Sequence, residues 1–232
     1  MNDLRFDLHV HTKYSVDSFT PIDKILKFSK KINLGGIAIA DHDTILGGIE
    51  AKKLNKSDFE VIIGSEITLE NGGEILCLFL NQEVKKGDFF EVYDQIRDQD
   101  GVIILPHPFR ALKKNIDKFA QEELKYFKII EGINAFNYPS ENKLAIEYAK
   151  KNSLSIIGGS DSHHYSTIGA AYTIFNNSEN LKKQLIDGDV ICGGNSINKR
   201  MRSRVFLHRN LKSKNYKEII KYNYNSIVER LK

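Results

Sequence analysis

The sequence contains only two cysteines, Cys77 and Cys192, which lie far apart in apolar surroundings. This count and spacing favour two buried free thiols over a disulfide framework or a thiolate zinc site. No apolar run is long enough to cross a bilayer, and no basic-then-apolar leader opens the chain. We therefore expect a cytoplasmic protein with no membrane partner.

The sequence also has little net charge, and it shows no low-complexity linker and no internal repeat. The formal net charge of +4 suits an acidic substrate without requiring nucleic acid. A hydrophobic share of 41% is ample for one sizeable core. Neither a Gly-x-Ser-x-Gly elbow nor a Cys–His pair is present, so the sequence offers no obvious protein nucleophile.

Short apolar segments alternate with helical segments along most of the chain. This alternation predicts a parallel sheet covered by helices. The predicted strands lie at 4–9, 37–40, 59–64, 74–80, 102–105, 129–135 and 154–158. The predicted helices lie at 21–33, 46–55, 88–100, 117–127 and 140–152. Beyond them we predict a strand at 170–175, a helix at 178–187, a basic segment near 198–204 and a final helix at 215–231.

Metal-ligand residue types follow the predicted strands at their carboxyl ends. His9 and His11 are two residues apart, so on a strand they share one face. Similar residues stand at Asp41-His42-Asp43, Glu66, His107 and Asp161-Ser162-His163-His164. Carboxyl ends of strands meet at the mouth of a βα barrel and also at the crevice of a doubly wound sheet. Ligands from so many strands converge more easily on a barrel mouth, so we predict an incomplete or distorted α/β barrel of seven strands.

The ligand types indicate a multinuclear metal site. Six of the seven histidines lie in these clusters, together with aspartates and glutamates. Mixed imidazole and carboxylate ligands suit Zn, Mn, Fe or Co. Because the candidates exceed the needs of one ion, we expect two to three divalent ions bridged by Glu66 or Asp161. A two-metal site can clamp a phosphate and activate a water.

The motifs resemble those of the PHP (polymerase and histidinol phosphatase) family, in the family's order. They are Asp7-Leu8-His9-Val10-His11-Thr12, Asp41-His42-Asp43, Gly64-Ser65-Glu66, Pro106-His107-Pro108 and Gly159-Ser160-Asp161-Ser162-His163. The resemblance covers residues 4 to about 175. It implies a distorted seven-stranded TIM-like βα barrel with a trinuclear metal centre. It also implies phosphoester hydrolysis on histidinol phosphate, nucleotides or short oligonucleotides, or proofreading within replicative polymerases.

The resemblance also implies a ligand set. It assigns His9, His11, Glu66 and Asp161 to the first ion, Glu66 and His107 to the second, and Asp17, His42 and His163 to the third. Many family members carry a further histidine on the strand after the Glu66 motif. Here that strand reads Gly73-Glu74-Ile75, so Glu74 could replace the imidazole, or the second site is poorer.

Several residues near the ligand motifs have either a functional or a purely structural interpretation. Asp41, His163 if it is not a ligand, or a water on the metal could protonate the leaving group, although Asp41 more simply orients an imidazole. Arg110 could bind a substrate phosphate or form a surface ion pair. Asn134 and Asn137 could line the mouth or form a turn. Arg200, Arg202 and Arg204, with Lys199, could bind phosphate or form a solvated face. His164 and His208 are read as solvated residues.

These observations predict a metal-dependent phosphoesterase. A metal-bound hydroxide would attack a phosphomonoester or phosphodiester of a nucleotide, an oligonucleotide or a small phosphorylated metabolite. Residues 1–195 would form the barrel, and residues 196–232 a basic segment and helix packed on it. The alternative is a non-catalytic, metal-stabilised regulatory or nucleic-acid-binding module. A metal-dependent amidohydrolase ranks lower because a glutamate stands at the bridging position. The sequence leaves the oligomeric state open.

Overall fold

The computed structural model describes residues 4–110, 114–218 and 221. Within these residues the chain forms a mixed α/β fold. The strands are β1 (Leu4–Val10), β2 (Gly36–Ile39), β3 (Glu60–Thr68), β4 (Glu74–Leu78), β5 (Val102–Ile104), β6 (Ile129–Asn134), β7 (Ser155–Gly159), β8 (Ala171–Phe175) and β9 (Val190–Gly194). The helices are α1 (Ile22–Lys31), α2 (Leu46–Leu54), α3 (Phe89–Asp98), α4 (Gln121–Leu124), α5 (Pro139–Asn152), α6 (Leu181–Asp187) and α7 (Lys199–Lys212).

Seven strands form one curled sheet in the order β5-β4-β3-β2-β1-β8-β9, and β6 pairs with β7 in a second sheet. The predicted α/β class is confirmed, and the larger sheet is curled and has seven strands, whereas closure into the predicted barrel stays a prediction. Its membership differs from the prediction, because β8 and β9 extend the sheet while β6 and β7 stand apart. Isolated bridges join the two sheets, from Val10 to Ser162 and from Leu105 to Ile130.

The prediction of a parallel sheet is wrong for half of the molecule. The pairs β1–β2, β2–β3 and β6–β7 are parallel, but β3–β4, β4–β5, β1–β8 and β8–β9 are antiparallel. The loop between Thr68 and Glu74 is too short for a helical crossover, so β4 must return alongside β3 as a hairpin. An apolar pattern in the sequence indicates where a strand lies, but not whether it pairs parallel or antiparallel with its neighbour.

A bulge in β1 decides where its histidines point. The register with β2 shifts between Asp7 and Val10, so Leu8 and His9 together oppose Ala38. Leu8 packs in the cluster that contains Ala38, whereas Val10 packs on the other face beneath α1. Without this extra residue, strict alternation would place His9 on the face opposite Leu8. The bulge therefore lets β1 contribute both a core leucine and ligand histidines to the same side.

The helices bury apolar stripes against the outer faces of the strands. In α1 the buried side chains Ile22, Ile25 and Leu26 follow helical spacing and pack with Ile37 and Ile39 of β2. Each such side chain contributes about 1.5–3 kcal/mol when fully buried. These helices fix the strand ends from which the polar clusters emerge.

Several predicted elements differ from those observed. The helix predicted at 117–127 is a 3-10 turn at Asn115–Lys118 followed by the four-residue α4. Strand β9 was not predicted, and the basic segment forms the first part of helix α7. In α7 only Val205 is buried, so no apolar stripe marks it in the sequence. The predicted helix at 215–231 lies largely outside the described residues.

Both cysteines are free, as predicted, with Cys77 buried and Cys192 only partly so. Among the helices that the structure describes, none combines the length and the apolar character that a membrane crossing requires.

Candidate metal centre

Imidazole and carboxylate groups converge where β1, β2, β3, β5 and β7 end. All nine side chains predicted as ligands fall into three groups whose ligand atoms lie within 4.8 Å of one another. The groups are His9, His11 and Asp161; Glu66, Glu74 and His107; and His11, Asp17, His42 and His163. Because His11 belongs to both the first and the third of these groups, those two groups lie side by side.

The first group is built by two strands that meet through a bridge. His11 Nε2 lies 3.3 Å from Asp161 Oδ1 and 3.5 Å from Glu66 Oε2. His9 Nε2 lies 3.4 Å from Glu66 Oε2 and 4.0 Å from Asp161 Oδ1. A divalent ion binds such atoms at about 2.0–2.2 Å, so ligand atoms this far apart can share one ion.

Glu66 lies between the groups and faces both sides. Its Oε1 is 2.8 Å from His107 Nε2, whereas its Oε2 is 3.4 Å from His9 Nε2 and 3.4 Å from His42 Nδ1. The side chain is almost fully buried. This is the arrangement that a bridging carboxylate requires.

Asp17 lies on the loop that follows β1 and meets histidines from other segments of the chain. Asp17 Oδ2 is 3.0 Å from His163 Nε2 and 3.5 Å from His42 Nε2. His163 Nδ1 lies 2.9 Å from the carbonyl oxygen of Asp161, which can only accept. The neutral tautomer that donates there leaves the lone pair of His163 Nε2 directed at Asp17.

Glu74 stands at the start of β4, the strand that follows Glu66. Glu74 Oε2 lies 3.7 Å from His107 Nε2, and His107 in turn contacts Glu66. Glu74 is the more open member of this group, with 26% of its side chain exposed. The structure therefore brings Glu74 close enough to serve beside His107, and its ligation stays a prediction.

Buried imidazole nitrogens without hydrogen-bond partners test whether these residues fit metal ions. Within the described residues, His9 Nε2, His11 Nε2 and His163 Nε2 are buried and accept or donate no hydrogen bond. A buried polar atom left unpaired costs roughly 1–3 kcal/mol, so a fold rarely keeps several together. Each of these nitrogens faces a carboxylate of its group, and a divalent cation would satisfy both partners. The donor set therefore fits metal ions.

The carboxylates are held in their charged form. Burial alone would raise the pKa of Glu66, but His9 and His42 outweigh it and hold the pKa well below its usual value. Burial is likewise outweighed at Asp161, where Arg110 and His9 lower the pKa. Conversely, burial would lower the pKa of His42, yet Glu66 and Asp17 raise it to about 9. The carboxylates that would hold an ion are thus kept charged by the cationic groups around them.

Glu131 on β6 was not predicted as a site residue. It is fully buried, and its Oε1 lies 3.1 Å from His9 Nδ1. Its Oε2 accepts hydrogen bonds from the His107 backbone N–H at 2.9 Å and from Asn134 Nδ2 at 2.8 Å. A carboxylate that accepts from Nδ1 fixes the tautomer whose Nε2 is free to bind a metal. The signal in the sequence was a lone acid within the apolar strand Ile129–Asn134.

Arg110 lies in the mouth of the site, as the phosphate-binding reading requires. Its Nη2 contacts Asp161 Oδ2 at 2.5 Å and Asn134 Oδ1 at 2.9 Å, and its Nε donates to Asn137 Oδ1 at 3.0 Å. Asn134 Oδ1 also accepts from the Phe136 N–H, so this residue both lines the mouth and shapes the turn. The Arg110 side chain remains 24% exposed and is open to a ligand.

Asp41 lies beneath the site and not in its mouth. It is fully buried and accepts hydrogen bonds from the backbone N–H and the hydroxyl of Thr12, the latter at 2.7 Å. Burial raises its pKa to about 6 despite these bonds. Its contacts tie the loop that carries Asp17 to the end of β2.

The three predicted arginines of the basic segment lie on α7 in different surroundings. Arg200 and Arg204 are exposed. Arg202 donates to the carbonyl oxygens of Phe136 and Asn137 and lies 4.3 Å from the ring centre of Tyr138. A fourth arginine that was not predicted, Arg209, contacts Asp17 directly.

Two candidate ligands have unusual backbone conformations. His107 has φ of 29° and Asp161 has φ of 53°, in the left-handed region that residues with a Cβ seldom adopt. Such conformations cost about 1–3 kcal/mol each and persist where the surrounding contacts hold them. For His107 the bond from its N–H to Glu131 is such a contact.

Comparison with known proteins places the chain in a family. It is 40% identical over 147 residues to the uncharacterized protein MJ1587 of Methanocaldococcus jannaschii, covering 58% of this chain and 82% of that protein. It is 36% identical over 179 residues to MJ0417 of the same organism, covering 74% and 70%. A PHP-associated family model matches residues 139–188. The chain belongs to the family of these archaeal proteins, and the family-model match supports its placement among PHP proteins.

Solved structures show the same fold. A two-domain protein from Bacteroides vulgatus, containing a predicted PHP-like metal-dependent phosphoesterase, superposes with a TM-score of 0.71 at 17% identity, over 90% of this chain and 70% of that one. The lesion-specific endonuclease Q of Pyrococcus furiosus superposes with a TM-score of 0.61 at 14% identity, over 79% and 56%. At these identities the likeness concerns the fold.

Proposed function

We propose that this protein is a metal-dependent phosphoesterase. The observation that carries the proposal is the set of three adjoining ligand groups, joined by Glu66 and His11, with unpartnered imidazole nitrogens facing carboxylates. A site of this charge and size fits adjacent divalent ions better than a single structural ion. The PHP-associated match and the phosphoesterase and endonuclease neighbours support the same reaction class.

The residues would hold two to three ions in the following way. His9, His11, Glu66 and Asp161 would bind the first ion, Glu66, Glu74 and His107 the second, and Asp17, His42 and His163 the third. When bound, divalent ions of this kind lower the pKa of water and neutralise charge on phosphate oxygens. Zn, Mn and Fe all suit this mixture of ligands.

The chain's own residues orient the substrate and the ligands. We infer that Arg110 binds a phosphate oxygen, because its planar fork is open to the mouth and already holds Asp161. Glu131 fixes the orientation of His9, and Asp41 fixes the loop that bears Asp17. The contacts of Asp41 and His163 favour these supporting and ligand roles over proton donation to the leaving group.

We infer further that β1–β7 form the distorted TIM-like barrel and that α7, the described helix of the predicted segment 196–232, packs on it as an appendage. The bridges at Val10–Ser162 and Leu105–Ile130 support the barrel, and the contact between Arg209 and Asp17 supports the packing. A nucleotide, a short nucleic acid or another small phosphorylated molecule is the proposed substrate. The endonuclease Q complex with an abasic 27-mer duplex makes a nucleic acid one reasonable member of that class.

The test is metal content combined with turnover of two generic substrates. Protein purified without added metal is assayed on p-nitrophenyl phosphate and bis(p-nitrophenyl) phosphate, before and after addition of Mn(II). We expect two to three ions per chain and metal-dependent turnover, with a monoester-to-diester ratio that narrows the substrate class.

Ligand variants give the residue-level check. His107→Ala and Asp161→Asn should reduce turnover by more than about 100-fold, since even an outer partner of a ligand contributes about 10- to 100-fold. His208→Ala, a histidine outside the three groups, serves as the matched control and should retain activity. Bound metal without turnover on either substrate would instead favour the regulatory or nucleic-acid-binding module. Full activity in the ligand variants would refute the site.

A further inference from the structure

Helix α7 lies across the mouth of the metal centre and is held at both ends. Arg202, Val205 and Arg209 follow the spacing of one helical face, and this face points inward. Val205 is fully buried, and Arg202 donates to the carbonyl oxygens of Phe136 and Asn137 beyond β6. Arg209, two turns further on, reaches the opposite side of the mouth.

Arg209 places a guanidinium group inside the group around Asp17. Its Nε and Nη2 lie 2.8 and 2.7 Å from the same atom, Asp17 Oδ2. That oxygen is also the one that faces His163 Nε2 at 3.0 Å. Burial would lower the pKa of Arg209, but Asp17, Asp161 and Glu66 raise it, so the guanidinium lies within the field of the central carboxylates.

One oxygen atom cannot serve all of these partners fully. A carboxylate oxygen offers about two lone-pair sites, and here it receives two guanidinium N–H groups and faces an imidazole. When Asp17 turns this oxygen toward a cation held with His163 and His42, fewer lone pairs remain for Arg209. The guanidinium then has donors that need another anion, because an unpaired buried charge is costly.

The surroundings of Arg209 point to a phosphate as that anion. The side chain is 27% exposed and that of Arg110 is 24% exposed, so each keeps part of its surface for a ligand. Their partners Asp161 and Asp17 both lie against His163, at 3.5 and 3.0 Å, so the two guanidinium groups border the same set of ligand residues. Arg110 contacts Asp161 of one ligand group, and Arg209 contacts Asp17 of another. Two planar forks anchored on different ligand groups can bind different oxygens of one phosphoryl group.

We propose that Arg209 of α7 is a phosphate-binding residue of this site, so that the C-terminal helix contributes directly to substrate recognition. The inference rests on the proposed phosphoesterase function and extends it to a residue outside the ligand motifs. The competing reading is that Arg209 only holds Asp17 in place as an ion pair. That reading predicts an effect on metal binding, whereas phosphate recognition predicts an effect on anion binding.

The experiment compares wild type, Arg209→Ala, Arg209→Lys and the control Lys212→Ala. Lys212 is a basic residue of the same helix, and its Nζ lies 4.9 Å from the ring centre of Phe19 in the same loop as Asp17. Each purified protein is loaded with Mn(II), its bound Mn(II) is counted, and its affinity for inorganic phosphate is measured calorimetrically. Folding is monitored by circular dichroism and thermal unfolding.

We expect Arg209→Ala to bind the wild-type number of Mn(II) ions and to bind inorganic phosphate about 10- to 100-fold more weakly. The phosphate affinity of Arg209→Lys should lie between those of wild type and Arg209→Ala, because an ammonium group keeps the charge but lacks the planar arrangement of donors. Lys212→Ala should bind phosphate like wild type. The same pattern should appear as a raised KM with a smaller change in kcat on p-nitrophenyl phosphate.

Other outcomes overturn the inference in distinguishable ways. If Arg209→Ala loses a Mn(II) ion while its phosphate affinity stays within twofold of wild type, Arg209 only positions Asp17. If wild type hydrolyses phosphoesters and Arg209→Ala has the same Mn(II) content, phosphate affinity and kinetic constants, the phosphate-binding role of Arg209 is refuted and the proposed function stands. If wild type binds neither Mn(II) nor inorganic phosphate, the proposed function fails with it.

Discussion

Replacing Glu131 by glutamine should weaken metal binding without removing any ligand. The carboxylate accepts from His9 on one oxygen and from two donors, the His107 N–H and Asn134 Nδ2, on the other. A glutamine has one acceptor oxygen, so its NH2 group must face a donor on one side or the other. If the NH2 group faces His9, the imidazole must change tautomer to accept from it; if it faces the other side, the His107 N–H and Asn134 Nδ2 lose their acceptor.

The size of the effect follows from these contacts. Leaving buried donors unsatisfied costs about 1–3 kcal/mol for each group, and the loss of charge-assisted bonds adds to it, for a total near 3 kcal/mol. In a chain of this length, 1 kcal/mol shifts Tm by about 2–4 °C, so Tm should fall by about 6–12 °C. Loss of the partner of a ligand should weaken Mn(II) binding by about 10- to 100-fold.

The assay is Mn(II) titration calorimetry with scanning calorimetry on Glu131→Gln. The matched control is Glu147→Gln, which removes an exposed carboxylate of α5 that pairs with Lys143 at 3.8 Å. The control should change Tm by less than about 1 °C, because exposed ion pairs contribute little. A folded Glu131→Gln variant with wild-type Mn(II) affinity would refute the argument that Glu131 orients His9.

Three further predictions concern other parts of the structure. Glu74→Gln should lower the number of tightly bound Mn(II) ions by one, measured by metal analysis after gel filtration, and an unchanged number would exclude Glu74 as a ligand. Gly47→Ala should reduce both Tm and metal-dependent turnover, because an added Cβ would overlap Asp41 Oδ2 and Thr12 Oγ1. A wild-type Tm and turnover in this variant would show that the side chains of Asp41 and Thr12 can move apart freely. Burial raises the pKa of both thiols, so Cys192, the less buried one, should react slowly with a thiol reagent and Cys77 only after unfolding. Because the thiolate is the nucleophile, the reaction of Cys192 should become faster as the pH rises, and rapid reaction of Cys77 in the native protein would contradict the described packing.

Much of the site could be predicted because its signals are local. The histidines and acids stand directly after short apolar strands, and strand ends gather in space whatever the details of pairing. All nine predicted ligands accordingly lie in the three groups. The helices α1 and α3 carry apolar residues at helical spacing, so their approximate positions were also predictable.

The residues that were missed depend on distant partners. Glu131 has a role only because the parallel pairing of β6 with β7 and the bridge to Leu105 bring it beneath His9. Arg209 lies 192 positions after Asp17 in the chain, on a helix without an apolar stripe. No local pattern distinguishes Arg209 from an ordinary surface charge, and a lone acid in the apolar strand β6 does not indicate which partners Glu131 meets.

By itself, the sequence determined the α/β class, the order of most elements and the kinds of ligand available, because these depend on periodicity and on residue chemistry. Only the tertiary structure decided strand direction, since β4 returns as a hairpin beside β3. It also decided which way His9 faces, through a one-residue bulge opposite Ala38. Such choices are set by register and packing between segments far apart in the chain, and a shift of one residue reverses the face of a strand without changing its composition.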